Sequence, residues 1–389
     1  MKEIDWHYPR TRLAKEYMRE FTRHGCRALA VFSDRQVGKT EFLTADLAPE
    51  AERQGRYPVH ADLWAHRADP TRAIVGAMKE AALRLERGDR RPLVGLNVNV
   101  GFVKGVGAEL KYRRKDNDAH EPEDTVDRLG YWARRLATAV GDGKVLLMLD
   151  EAQTLVTTAN ALNEISALRA AFQMNMGKYE PVFTGSSRDR LERMFADSRA
   201  PLYKYGERME FPKLAEEFIA HIVERARLAS GLRLDRDEVS TVFKALGQRP
   251  GDLIGVVRVM MRNDMTDLAQ GLAAQLHDDR EQAERDLQLH DLSKLDRKVL
   301  ERIAFDPELF SADALSWYGS ALGHPPTKPA VQRSVARLRS RQLIEQDFQI
   351  GKYRISDERL ERYFRERSSA GTRTLSSKMG DEKERGGTR

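Results

Sequence analysis

Two hydrophobic patterns share this chain: short, densely apolar runs, and longer segments with apolar residues three and four apart. Ala28-Leu29-Ala30-Val31-Phe32, Tyr57 to Leu63, Val145 to Leu149 and Pro181-Val182-Phe183 are the short runs. Their length and composition predict strands of a parallel sheet buried on both faces. From about Leu214 to Asp291 the spacing is helical, with Glu217 to Leu228, Val239 to Leu246 and Asp252 to Met261 as inward-packing segments. The stretch 267–291 is rich in Gln, Asp, Glu and Arg and predicts a long exposed helix or pair. Between about 93 and 112 the pattern changes again. Val94, Leu96, Val98, Val100 and Phe102 alternate, and alternation resumes after Lys104-Gly105 with Val106, Ala108, Leu110 and Tyr112. Period two around a Gly-bearing turn predicts a β-hairpin with one buried face. The charged run 113–118 after it predicts an exposed loop.

Residues 292–366 form a separate pattern. Lys294 to Ala304, Ser311 to Leu322 and Lys328 to Gln342 predict three helices, followed by two short strands at Leu343 to Gln346 and Tyr353 to Ile355. Three helices and a hairpin are the layout of a winged helix, whose third helix enters a DNA major groove. That third helix carries Lys328, Arg333, Arg337, Arg339 and Arg341 and no acid, and Lys352 falls at the expected wing tip. One sign of charge on one element is the footprint of a nucleic-acid interface; a protein-docking module would use the same layout. The tail 367–389 has almost no large apolar residues and is expected to be disordered.

The ends of the apolar runs carry the chemistry. After Phe32 comes Ser33-Asp34-Arg35-Gln36-Val37-Gly38-Lys39-Thr40-Glu41, a strand–loop–helix context suited to a phosphate-binding loop. Loop amides and the helix start would face the phosphates, Lys39 would neutralise the β- and γ-oxygens, and Thr40 would hold Mg²⁺. Ser33 stands where Gly usually opens such a loop. About a hundred residues on, Val145 to Leu149 runs into Asp150-Glu151. A central strand would deliver both acids to the C-terminal edge of the sheet, Asp150 to the Mg²⁺ shell and Glu151 to the attacking water. A third run ends in Thr184-Gly185-Ser186-Ser187, which puts a polar side chain, Ser186, near the γ-phosphate. The nine histidines are scattered; His60, His66 and His324 lack partners at metal spacing, so no zinc site is expected.

These elements, in this order, resemble the AAA+ branch of P-loop ATPases, within it the bacterial and archaeal ATPases related to STAND and origin-recognition proteins. The resemblance spans roughly 5–365 and implies an α/β parallel-sheet ATPase core with an inserted hairpin over 1–212, a helical lid over 213–291 and a C-terminal winged helix over 292–366. It places Walker A at Ser33 to Thr40, Walker B at Leu146 to Glu151 and sensor 1 at Ser186 and Ser187. Tyr8-Pro9-Arg10 occupies the place of the segment beside the adenine, and Pro250, with Arg249 or Arg258, that of sensor 2. Pro201-Leu202-Tyr203 is followed by Lys204 rather than the frequent Arg, leaving Arg188, Arg199 and Arg208 as arginine-finger candidates.

Composition limits the setting. The chain has 389 residues, 41% hydrophobic and 32% charged, with a net charge of +6 that permits an anionic partner. The single Cys26 excludes an intramolecular disulfide. With no leader pattern and no apolar run of membrane-spanning length, the expectation is a cytoplasmic protein. The reading is an Mg-ATP-hydrolysing switch that binds double-stranded DNA, of loader, transposition-regulator or mobile-element type. The alternative is a STAND-like signalling or defence ATPase whose winged helix docks protein and whose ATP drives self-assembly. A P-loop that binds nucleotide only structurally is a third reading, which the intact Lys39, Thr40, Asp150 and Glu151 oppose.

Overall fold

The computed structural model describes residues 4–33, 36–66, 68–94, 121–158, 160–185, 191, 194–306, 308–341, 343–346, 352–357 and 359–365. Two compact units divide the chain, residues 1–255 and 256–389.

The first unit is built on five parallel strands: β1 (Leu29–Phe32), β2 (Arg56–Asp62), β3 (Lys144–Asp150), β4 (Tyr179–Gly185) and β5 (Glu207–Glu210). Their order across the sheet is β2-β3-β4-β1-β5. β1, β3 and β4 are buried almost throughout, which explains their unbroken apolar composition. Strand parity sorts their side chains. Val145, Leu147 and Leu149 join a core beneath α3 (Pro70–Glu86), α4 (Thr125–Ala139) and α5 (Ala161–Met174), where Trp132 is fully buried. Leu146, Met148 and Val182 face the opposite core, under α1 (Thr11–Arg23) and the helix that follows β1. That helix, α2, runs continuously through Lys39–Glu41, a π-helical Phe42–Leu47 and Ala48–Arg53. The same unit continues with α6 (Glu216–Ser230) and α7 (Arg236–Ala245), and α8 (Pro250–Arg262) begins in it. Asp235 caps α7 by accepting from the Asp237 and Glu238 amides, and Gly231 closes α6 in the left-handed conformation.

The stretch expected to be one long helix or a pair is α9 (Leu268–Leu289), a single helix. The second unit then holds α10 (Lys294–Phe305), α11 (Ala312–Leu322), α12 (Lys328–Ser340), the antiparallel pair β6 (Ile344–Gln346) and β7 (Tyr353–Ile355), and a short helix over 359–365. Val299, Leu300, Tyr318, Val331, Leu338 and Ile355 build its core. Ser293, Ser311 and Thr327 cap the starts of α10, α11 and α12. Asp296 closes a capping box with Ser293 and is itself buried.

Leu93 forms a parallel bridge with Val59 at the outer edge of β2. Beyond Val94, the expected hairpin and the charged loop after it lie outside the described residues, as does the expected disordered tail. No described helix is long and apolar enough to cross a membrane.

Candidate nucleotide-binding site

The site grows from the C-terminal ends of β1 and β3. After β1 the chain turns through Gln36 at φ 57° and Gly38 at φ 86°, both left-handed, and α2 starts at Lys39. Gly38 needs its conformational freedom, because its φ disfavours residues with a side chain. The first amides of a helix have no intrahelical partner, so this turn presents N–H groups suited to an anion. Lys39 is buried at 6% exposure.

β3 ends in Asp150, on the same face as Leu146 and Met148, toward α2. The Thr40 hydroxyl donates to Asp150 Oδ2 and the Thr184 hydroxyl donates to Oδ1. His60 Nε2 stands 3.9 Å from Oδ2, beyond hydrogen-bond distance. Burial alone would raise the pKa of Asp150; the His60 ring and the Thr184 and Thr40 hydroxyls outweigh it and bring the carboxyl down to about 2. Asp150 is therefore a buried carboxylate that stays charged. Its oxygen and that of Thr40 are hard donors of the kind Mg²⁺ takes, and the buried His60 Nε2 has no hydrogen-bond partner among the described residues.

Glu151 leaves the strand at φ 54°, strained for a residue with a side chain, and its amide donates to Asp150 Oδ1 at 3.0 Å. Buried Gln153 donates from Nε2 to Glu151 Oε2 and packs against Gly185, leaving no room for a Cβ there. Gln153 and Thr184 were not singled out in the sequence. Parity could have found Thr184: Val182 pairs with Met148, so Thr184, two residues on, shares the face of Asp150. Ser186, the expected polar residue, lies outside the described residues together with Ser187, Asp34, Arg35 and Arg188.

A cleft beside the loop is lined by Trp6, Tyr8, Arg10, Gly38, Phe218 and Pro250, among others. Arg10 is its organiser. Its Nη2 donates to the Val37 carbonyl at 2.7 Å, its Nη1 to the Pro212 carbonyl at 3.2 Å, and its guanidinium lies 4.3 Å from the Phe211 ring centre. Burial lowers the Arg10 pKa to about 10. Tyr8 meets Phe218 and His221 edge-on at 6.0 and 5.5 Å. His7 lies between Glu41 and Asp46, 3.2 Å from each; Asp46, its main partner, and Glu41 raise its pKa to about 9. Asp46, in the π-helical turn of α2, also accepts from the Arg10 amide at 3.0 Å. Arg249 donates to the Leu246 carbonyl at 2.8 Å and pairs with Asp252 at 3.1 Å. Val37 is buried, Gln36 exposed, and Ser33 and Glu41 stand at the loop's two ends. Of the finger candidates, Arg199 is exposed beside Asp197 and Arg208 lies 5.1 Å from the Phe32 ring centre.

No family model matches the sequence, and no curated protein matches it significantly. The chain is similar to the Walker-type ATPase PABY2304 of Pyrococcus abyssi, at TM-score 0.51 and 14% identity over 93% of this chain and 96% of that one. The fold is that of this Walker-type ATPase. Similarity extends to the Aeropyrum pernix ORC1 protein in complex with DNA (TM-score 0.48, 15% identity, 92% of each chain). It extends also to replication initiator DnaA bound to AMPPCP and single-stranded DNA (0.38, 12%, 85% of this chain and 89% of that one).

The basic residues expected to read DNA divide into two groups in the second unit. Arg337 donates to Asp296 at 2.8 Å and Arg341 to the His290 and Asp291 carbonyls. Lys328, Arg333 and Arg339 are exposed on α12, and Lys352 precedes β7.

Proposed function

We propose that the chain binds Mg-ATP at the C-terminal edge of β1 and β3 and hydrolyses it, and that the nucleotide state governs association with double-stranded DNA through a C-terminal winged helix. The observation that carries the first half is the hydrogen bond between Thr40, in the first turn after the left-handed Gly38, and Asp150 at the end of β3. A carboxylate held charged beside a hydroxyl, next to a buried lysine and a row of helix-start amides, is a constellation for a polyanion and a divalent cation. Lys39 would neutralise phosphate oxygens. Thr40 and Asp150 would hold Mg²⁺, which supplies charge neutralisation as the terminal phosphoryl group leaves. Glu151 would orient the attacking water, kept on station by Gln153; Thr184 would fix the second oxygen of Asp150. Tyr8, Arg10 and Pro250 line the cleft where a base would lie.

The DNA half rests on α12, whose exposed cations Lys328, Arg333 and Arg339 meet no acid on their own helix. ATP turnover across a protein-concentration series, with and without duplex DNA, tests both halves. Lys39→Ala should abolish nucleotide binding, and Glu151→Gln should bind ATP and fail to turn it over. Normal turnover by Glu151→Gln would overturn the mechanism, and turnover indifferent to DNA would favour the protein-docking alternative.

A further inference from the structure

Resting on the nucleotide-binding reading, we propose that His60 is a nitrogen ligand of the divalent cation at Asp150, so that this site takes a first-row transition ion such as Mn²⁺ in preference to Mg²⁺. Register places the ring there. β2 pairs with β3 so that Asp62 lies opposite Asp150 and His60 opposite Met148, which puts His60 on the face that carries Asp150. Its backbone is pinned, since the His60 amide donates to the Leu93 carbonyl at 3.0 Å. The side chain is 10% exposed. A histidine serving only the core would bond its inner nitrogen to a carbonyl or hydroxyl; here Nε2 makes no hydrogen bond among the described residues, and the charged group it stands beside is Asp150, with Oδ2 at 3.9 Å.

That separation is meaningful for a shared ion. Two ligands about 2.1 Å from one octahedral cation lie about 3.0 Å apart when adjacent and about 4.2 Å apart when opposite. The 3.9 Å between Nε2 and Oδ2 lies between these limits, and Thr40 Oγ1 sits on the same carboxylate oxygen. One ion can therefore touch a hydroxyl, a carboxylate and an imidazole after sub-ångström adjustment. The nitrogen changes the preference, because Mg²⁺ takes oxygen ligands whereas imidazole favours transition ions.

Pulsed electron paramagnetic resonance of the full chain with Mn²⁺ and ADP tests this, using protein with natural and with ¹⁵N-labelled histidine. The expected result is a nitrogen coupling on the bound Mn²⁺ that changes with the ¹⁵N label and disappears in His60→Gln. In parallel, ADP should bind at least about tenfold more tightly with Mn²⁺ than with Mg²⁺, and His60→Gln should remove most of that ratio. Bound Mn-ADP without histidine nitrogen coupling in the wild-type chain would overturn the proposal and leave the nucleotide site standing. Absence of any bound Mn-ADP would overturn the nucleotide site, and this proposal with it. The wild-type spectrum needs no variant to fold.

Discussion

Gly185→Ala is a probe of how Glu151 is held. Gly185 ends β4, and a Cβ there would overlap the amide oxygen of Gln153 and approach Leu191 Cδ2 to 3.4 Å. The obstruction is the tip of one side chain, so the fold can absorb it by moving Gln153, at about 1–3 kcal/mol for overpacking. Gln153 is 1% exposed and its amide nitrogen donates to Glu151, so it has no second place to go that keeps this bond. Losing a hydrogen bond to a carboxylate costs about 1.5–3 kcal/mol. A catalytic group displaced by about 1 Å costs about 100-fold in rate. The expectation is a chain that melts a few degrees lower, binds nucleotide as tightly as wild type, and hydrolyses ATP about 100-fold more slowly. Steady-state turnover, binding of a fluorescent ATP analogue and a thermal melt read these separately. Gly185→Ala combined with Gln153→Ala relieves the overlap but also removes the bond to Glu151, so turnover should stay low. Turnover within twofold of wild type in Gly185→Ala, or full recovery in the double variant, would refute the role given to Gln153.

Other perturbations separate structure from chemistry. Thr184→Val leaves buried Asp150 Oδ1 without its hydroxyl donor and should cost about 1–3 kcal/mol in denaturant unfolding together with a loss of turnover. Arg337→Ala should lower stability by about 1–3 kcal/mol, since Asp296 is 2% exposed and loses its guanidinium. Arg333→Ala and Arg339→Ala, at exposed positions, should shift stability by less than about 0.5 kcal/mol yet weaken DNA binding and flatten its salt dependence. His7 has its pKa raised to about 9, so its pairing with Asp46 and Glu41 stabilises the fold fully below about 6.5, the unfolded value, and is lost as pH rises through about 9. Melting curves of wild type and His7→Gln should thus differ at pH 6 and converge above pH 9; a difference that persists at pH 10 would contradict the pairing.

Much of this was legible because the chemistry sits at the ends of apolar runs. β1 and β3 are buried on both faces, so their composition announces them, and Lys39, Thr40, Asp150 and Glu151 follow within a few residues. β5 was not legible: Glu207-Arg208-Met209-Glu210 is a polar, exposed edge strand whose only mark is its pairing with β1. The run into Gly185 and two serines draws the eye to Ser186, whereas Thr184, still within β4, is the hydroxyl that bonds Asp150. His60 looked solitary because its partner is on the neighbouring strand, and linear spacing cannot reveal a pair made across a sheet. For the same reason the contact of Arg10 with both the Val37 and Pro212 carbonyls could not be read from the chain. The count of basic residues on and just after α12 was visible, but not that Arg337 bonds Asp296 and Arg341 the His290 and Asp291 carbonyls.

The strand order also has a consequence for biosynthesis. β1 leaves the ribosome before any other strand, yet its neighbours in the sheet are β4 and β5, and Leu29 pairs with Val182 and Glu207. Both edges of β1 therefore stay open until β4 has been made, and one of them until β5 has. Loop closure over such distances is slow, and an unpaired apolar strand is prone to meet another copy of itself. A fragment ending before Glu207 would expose β1 along the edge that β5 covers.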